Sequence, residues 1–417
     1  MEAIGTHMLV EDFIFQNLEN GCDVEQQLEL MRTVFGENSR IDLQVKKWMD
    51  YHPSMTLEDF FVIKHHDKIV ATLCLIPLEW SIGGIRSRVA ELGCVATLPE
   101  YRRQGLQGRL MTEYHKSVSE QEYDVSAIEG IPYFYRQFGY EYAIPLDEQT
   151  RIALNKIPDY ESAHTIRPFT YKDIPRAMQL LGQAQEKFYV HALRDEGIWK
   201  MQQETGVMAE YKFEAYSVED GGEMIAYFRI NSDPEGKELF LREVTDVGSS
   251  VTRSILKFLK ETGRRQELDR LICTISHHEP LAKHLVATGD AEQPVPYAWQ
   301  IRIINHARLF RKMIPLFEKR LEASTYNCLT EKVNFNFYRF TVQLTIKDGI
   351  ITDVQRFESS QDRTVRFNPA VLTQFLLGYR SRDELEPVYP DFAVRPSHKG
   401  LVDVLFPKFP SYIHTGY

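Results

Sequence analysis

Along the first 150 residues the apolar positions follow two periods. After Asp23, residues Leu28, Met31, Val34 and Phe35 recur at spacings of three and four, the period of an amphipathic helix. Apolar runs at 60–63 and 69–75, separated by the polar turn His65-His66-Asp67, predict a hairpin. A third apolar stretch, 89–97, is stopped by Pro99. The basic, glycine-bearing segment 102–108 then leads into a helix that aligns Leu106, Leu110, Met111, Tyr114 and Val118 on one face. Residues 125–128 predict a short strand, and Gly130-Ile131-Pro132 turns the chain into an aromatic segment ending at Gly139.

The pattern weakens over 150–165, which suits a linker, and then repeats in the same order. Residues 213–230 read as a hairpin about Asp220-Gly221-Gly222, residues 239–247 as a third strand, and 254–261 as the helix after it. The second copy has Val247-Gly248-Ser249-Ser250-Val251 where the first has its basic loop. From residue 296 the character changes again. Residues 340–346 alternate, Lys347-Asp348-Gly349 is a hairpin turn, 350–357 returns as a strand, and Asn368-Pro369 opens a helix carrying Val371, Leu372, Phe375 and Leu376. The expected architecture is α+β: two α/β domains, 1–150 and 151–295, followed by an α+β domain, 296–417.

Length and charge narrow the function. At 417 residues the chain is long enough for two to four domains. Forty-nine basic against 59 acidic residues give a formal charge of −10, which argues against nucleic acid and suits a cationic ligand. The longest apolar stretch, 69–76, is far short of the ~20 residues of a membrane helix. No secretion signal is visible at the start, so a cytoplasmic protein with no membrane partner is expected. Five cysteines lie far apart without CxxC spacing, which predicts no metal site, and most sit in apolar runs as reduced core residues. His277-His278-Glu279-Pro280 with His284 has the wrong spacing for a zinc helix and reads as a surface helix start.

The chemistry concentrates in one segment, Val95-Ala96-Thr97-Leu98-Pro99-Glu100-Tyr101-Arg102-Arg103-Gln104-Gly105-Leu106-Gln107-Gly108. It reads as a strand, a turn with free backbone N–H groups, and a helix start, where a diphosphate fits. Neither a Walker lysine nor a GxGxxG pattern is present, which disfavours nucleotide hydrolysis and NAD binding. The segment resembles the acyl-CoA loop [QR]xxGx[GA] of the GNAT acetyltransferase superfamily, with Gln107 where Gly or Ala is usual. About 25 residues on, Phe134-Tyr135-Arg136-Gln137-Phe138-Gly139-Tyr140 is similar to the superfamily's second motif, FYxxxG[FY]. The RRxGLxxxLM form of the loop, the loopless second copy and the C-terminal domain together resemble the Eis family, in which two GNAT-like halves precede a sterol-carrier-like domain.

That resemblance implies acetyl transfer from acetyl-CoA to a primary amine of an aminoglycoside, polyamine or lysine side chain, by direct attack through a tetrahedral intermediate. It implies that the Val95 N–H stabilises the oxyanion, that Val95, Ala96 and Thr97 pair with the pantetheine arm, and that Arg103, Gln104, Gly105, Leu106, Gln107 and Gly108 hold the diphosphate. Tyr135 would protonate the leaving thiolate, and the carboxylate of Tyr417 would serve as base; Ile128 and Glu129 are further expected cofactor contacts. A homo-oligomer, a hexamer, is implied too. The rival expectation is a non-catalytic acyl-CoA sensor or scaffold with a lipid- or protein-binding C-terminal domain.

Overall fold

The computed structural model describes residues 13–36, 39–245, 247–358 and 364–417. Contacts divide the chain into two units: residues up to Leu78 with Arg88–Ile128, and Glu79–Ser87 with Glu129–Tyr417.

The first unit runs β1 (Phe13–Asn17), α1 (Gly21–Phe35), α2 (Ile41–Tyr51), β2 (Phe60–His65), β3 (Lys68–Ile82), β4 (Ile85–Thr97), α3 (Leu106–Glu120) and β5 (Val125–Ile128), the tip of the β3–β4 hairpin belonging to the second unit. Helix α1 starts where the Asn20 side chain caps the N–H groups of Cys22 and Asp23, and it buries Leu28 and Met31. Phe35, expected on the same face, is exposed in the last turn. The strands lie in the order β1-β2-β3-β4-β5, with β1 antiparallel to β2 and β2 to β3. At β4 and β5 the pairing becomes parallel, because α3 carries the chain back between them. Helix α3 buries Leu106, Leu110, Met111, Tyr114 and Val118, the face its periodicity predicts. The Tyr114 hydroxyl bonds the Ala90 carbonyl of β4 at 3.0 Å and the Ser126 hydroxyl of β5 at 2.8 Å, fixing helix and strands together.

The second unit continues with β6 (Glu141–Leu146), β7 (Thr150–Ala153), β8 (Thr165–Pro168), α4 (Ile174–Gln185), β9 (Val190–Leu193), α5 (Glu196–Thr205), β10 (Val207–Met208), β11 (Tyr211–Lys212), β12 (Glu214–Asp220), β13 (Glu223–Asp233), β14 (Glu238–Val244), α6 (Ser249–Arg265), β15 (Arg270–Cys273), α7 (Pro280–Ala287) and β16 (Tyr297–Ile303). One sheet has the order β7-β15-β14-β13-β12-β8. Its run β8-β12-β13-β14-β15 repeats β1-β2-β3-β4-β5, including a final parallel pair joined through a helix, here α6. Elsewhere in this unit β6 pairs with β16.

Helices α8 (His306–Lys312) and α9 (Ile314–Glu322) lead to a further sheet of β17 (Glu331–Asn336), β18 (Thr341–Lys347), β19 (Ile350–Phe357), β20 (Val365–Arg366) and, after α10 (Pro369–Leu376) and α11 (Arg382–Leu385), β21 (Ala393–Val394). Helix α12 (Lys399–Leu405) follows. Phe310, Phe335, Phe375 and Phe406 make the aromatic centre of this part, with rings 4.8–6.1 Å apart.

Three expectations are corrected. The expected linker begins with a strand: in β7 Thr150 and Ile152 are buried, and Leu154 and Ile157 continue into the same core. Of the cysteines only Cys74 and Cys273 are buried; Cys94 is half-buried, and Cys22 and Cys328 are exposed because they lie at a helix start and in a polar loop rather than on an apolar face. Glu279 does precede helix α7, but its carboxylate is buried rather than solvated, because Lys187 pairs with it at 2.7 Å.

Candidate active site

The site is built first by the end of β4. Strand β4 stays in register with β5 only from Val89 to Glu91, and beyond that the two diverge. Cys94 takes a left-handed backbone, φ +53°, which costs a non-glycine residue about 1–2 kcal/mol and marks an irregular step in the strand. The Leu98 N–H bonds the Val70 carbonyl of β3 at 2.9 Å. By the two-residue period of a strand, Ala96 also directs its backbone toward β3, whereas Val95 and Thr97 direct theirs to the edge that β5 has left. Ile128, at the end of β5, is buried.

Next comes the turn. The N–H groups of Tyr101 and Arg102 bond back to Leu98 and Pro99, and the Arg109 N–H opens the helical ladder on Gly105. Between them, those of Arg103, Gln104, Gly105, Leu106, Gln107 and Gly108 have no acceptor among the described residues. Arg103 (φ +63°) and Gly105 (φ +77°) are left-handed and flank Gln104, which is not. That alternation turns successive N–H groups into one concavity, an anion-binding nest at the positive end of α3. A Cβ on Gly105 or Gly108 would meet nothing within 4 Å, so the concavity is open. Leu106 turns its side chain into the core and offers only its N–H. Arg102 and Arg103 are exposed beside it.

Gln107, the departure from the motif, has a structural explanation. Its Nε2 donates to the Ala96 carbonyl at 2.7 Å, the Thr97 hydroxyl at 2.9 Å and the Thr72 carbonyl at 3.3 Å. The side chain thus fastens the first turn of α3 onto β4 and β3, which neither Gly nor Ala could do. Six consecutive free donors, open glycines and flanking guanidinium groups fit a diphosphate.

Tyr135 lies in the second unit, in a single helical turn, Phe134–Phe138. It is 5 % exposed, and its hydroxyl has no partner among the described residues. Its position is set from β16: the Gly130 carbonyl accepts from Tyr297 Oη at 3.0 Å and Gln300 Nε2 at 2.9 Å, and Arg302 holds the Phe138 carbonyl at 3.0 Å. The ring packs on Gly130 so closely that any Cβ there would collide with it. Burial, reinforced by neighbouring Tyr140, pushes the Tyr135 phenol well above its ordinary value, so it keeps its proton at neutral pH. Glu129, just before this segment, is exposed.

Tyr417 is also buried in the second unit, its main-chain oxygen accepting from Gln202 Nε2 at 3.2 Å and the Ala209 N–H at 3.3 Å. Beneath it lies a charge cluster with no signature in the sequence, since its members come from four separate segments. Arg194 pairs with Glu243 at 2.9 Å, Tyr227 donates to Glu243 at 2.7 Å, and Arg229 donates to Gln202 Oε1 at 2.7 Å. Both guanidinium groups also face Trp199, at 4.4 and 4.6 Å. Among the described residues no group of three or more His, Cys, Asp or Glu is placed to hold a metal, and no helix is long and apolar enough to cross a membrane.

Comparison with known proteins adds to this geometry. Residues 20–143 match the family described as acetyltransferase (GNAT) domain. None of the curated proteins compared matches the chain. Solved structures do: a GCN5-related N-acetyltransferase from Anabaena variabilis (18 % identity, TM-score 0.74), a probable N-acyltransferase of unknown function from Enterococcus faecalis (14 %, 0.73) and Eis1 from Mycobacterium abscessus (13 %, 0.64). Each match covers 97 % of this chain and 100 % of the other. At these identities the likeness is one of fold. Residues 20–143 therefore carry a GNAT acetyltransferase domain, in a chain with the fold of Eis1 and these acetyltransferase structures.

Proposed function

We propose that this protein is an N-acetyltransferase that moves acetyl from acetyl-CoA to a primary amine. The observation that carries this reading is the run of six free N–H groups from Arg103 to Gly108 at the start of α3. They bind the diphosphate, with Arg102 and Arg103 adding charge. Val95 and Thr97 pair with the pantetheine arm through the edge left open by β5. The Val95 N–H donates to the carbonyl oxygen as negative charge develops there. Tyr135, kept neutral by burial, gives its phenolic proton to the departing sulfur. A carboxylate at Tyr417 takes a proton from the attacking ammonium or holds it through water.

The acceptor in this reading is a cationic amine such as an aminoglycoside, a polyamine or a lysine side chain, in keeping with the net charge of −10. The division at 1–150, 151–295 and 296–417, with a sterol-carrier-like last part, a hexameric assembly and a cytoplasmic location belong to the same proposal. Thiol release from acetyl-CoA tests it, using a panel of polyamines, aminoglycosides and lysine peptides. Amine-dependent release supports the reading, and saturable acetyl-CoA binding without release across the panel favours a sensor instead.

A further inference from the structure

Cys94 is the residue before Val95, and its left-handed backbone sets where the Val95 N–H points. Across the sheet from this step lies Cys74 of β3. A Cβ built on Gly93 would sit 3.0 Å from the Cys74 sulfur, which places that thiol directly against the Gly93-Cys94 step. In the pairing that sets the Leu98 N–H on the Val70 carbonyl, the two-residue period of the strands brings Cys94 opposite Cys74. Both are free; Cys74 is fully buried, and Cys94 is half-buried and so accessible to a small reagent. No other pair among the described cysteines has this arrangement: Cys22 and Cys328 are exposed and Cys273 is buried in the other unit.

We propose that Cys74 and Cys94 form a reversible oxidation site that switches off the acyl-CoA groove by withdrawing the Val95 N–H. The oxidant is hydrogen peroxide. The Cys94 thiolate attacks one peroxide oxygen, the O–O bond breaks, and a sulfenic acid and water form. The Cys74 sulfur then attacks the Cys94 sulfur, the S–O bond breaks, and a disulfide and a second water result. Two thiols lose two electrons and two protons, and one peroxide becomes two waters. A disulfide needs its sulfurs about 2.05 Å apart, closer than two unbonded thiols can sit, so closure draws Cys94 toward β3 and turns Val95 with it. Reduction returns the strand to its open form.

The effect on turnover rests on the proposed acetyl transfer, but the bond itself is read by mass alone. In a Cys22→Ser, Cys328→Ser background, peroxide treatment of the folded protein is expected to give a linked peptide pair containing residues 74 and 94, lighter by two hydrogens. Turnover should fall about a hundredfold, as for loss of one oxyanion donor, and return with dithiothreitol. Adding Cys74→Ala should abolish the linked peptide and the dithiothreitol-reversible loss. If both thiols remain open to alkylation after peroxide, or if the linked protein turns over at the full rate, the proposal is overturned. A protein that forms the link on treatment but acetylates no amine before it counts against the proposed activity, not against the thiol pair.

Discussion

Tyr135 shows how a single side chain is specified at a distance. Its burial keeps the phenol protonated, so it can act as an acid but does not titrate over the working range. Tyr135→Phe is expected to lower turnover by about a hundredfold or more while leaving the acetyl-CoA KM close to wild type, since a general acid acts in the transition state. Steady-state kinetics at saturating amine would show this split, and unchanged turnover would remove Tyr135 from the chemistry. The FY motif marks Tyr135 as a candidate in the sequence. The clamp that places it has no such mark, because Tyr297 and Gln300 lie about 160 residues away and nothing local marks them as partners of Gly130. Cys94 was hidden for another reason, since a left-handed backbone at a cysteine leaves no trace in residue type.

Among the elements, periodic segments were readable and short or interrupted ones were not. Helix α3 buries the five residues its spacing predicts, and the hairpins β2–β3, β12–β13 and β18–β19 fall at the expected turns. Strand β7 leaves no signal in the sequence because four residues cannot establish a period, although Thr150 and Ile152 alternate inward. Strands β3 and β4 run further than their apolar cores, and the signal for that extension was the Gly83-Gly84 turn between them. Gln107 looked like a weakening of the loop motif, but it ties α3 to β4 and β3. Gln107→Ala should therefore cost about 1 kcal/mol of stability and loosen the first turn of α3. Thermal unfolding and amide exchange at 106–110 would register both, and exchange as slow as wild type would contradict the role given to Gln107.

At the scale of the whole molecule, the second unit carries several ionisable groups deep inside, among them Arg194, Arg229, Glu243 and His414. Burial holds His414 down to about 3, against the pull of Glu243 and with Arg194, His191 and Lys187 also disfavouring its charge. Its Nδ1 takes a hydrogen bond from Gln185 Nε2 at 3.1 Å, which suits the neutral ring. For Glu243 burial works upward, but Arg194 and Arg229 outweigh it and bring the carboxyl to about 2. Both groups bind protons more readily when unfolded. Stability is thus fully present above about 6.5 for His414 and about 4.5 for Glu243, and drains as pH falls toward 3 and 2. The melting temperature should drop steeply on acidification below pH 6.5, with a few kcal/mol lost in all, and His414→Gln should flatten the upper part of that slope.

The central claim is that the turn at Arg103–Gly108 grips the diphosphate of an acyl-CoA, and binding tests it more directly than rate. Gly105→Val leaves the charges in place but resists the φ of +77° that aims the N–H groups inward. Calorimetric titration with acetyl-CoA should give saturable binding to the wild-type protein and at least about tenfold weaker binding to the variant, a loss of roughly 1.4 kcal/mol, at unchanged circular dichroism. Equal affinity in the two proteins, or no binding to either, would contradict the account.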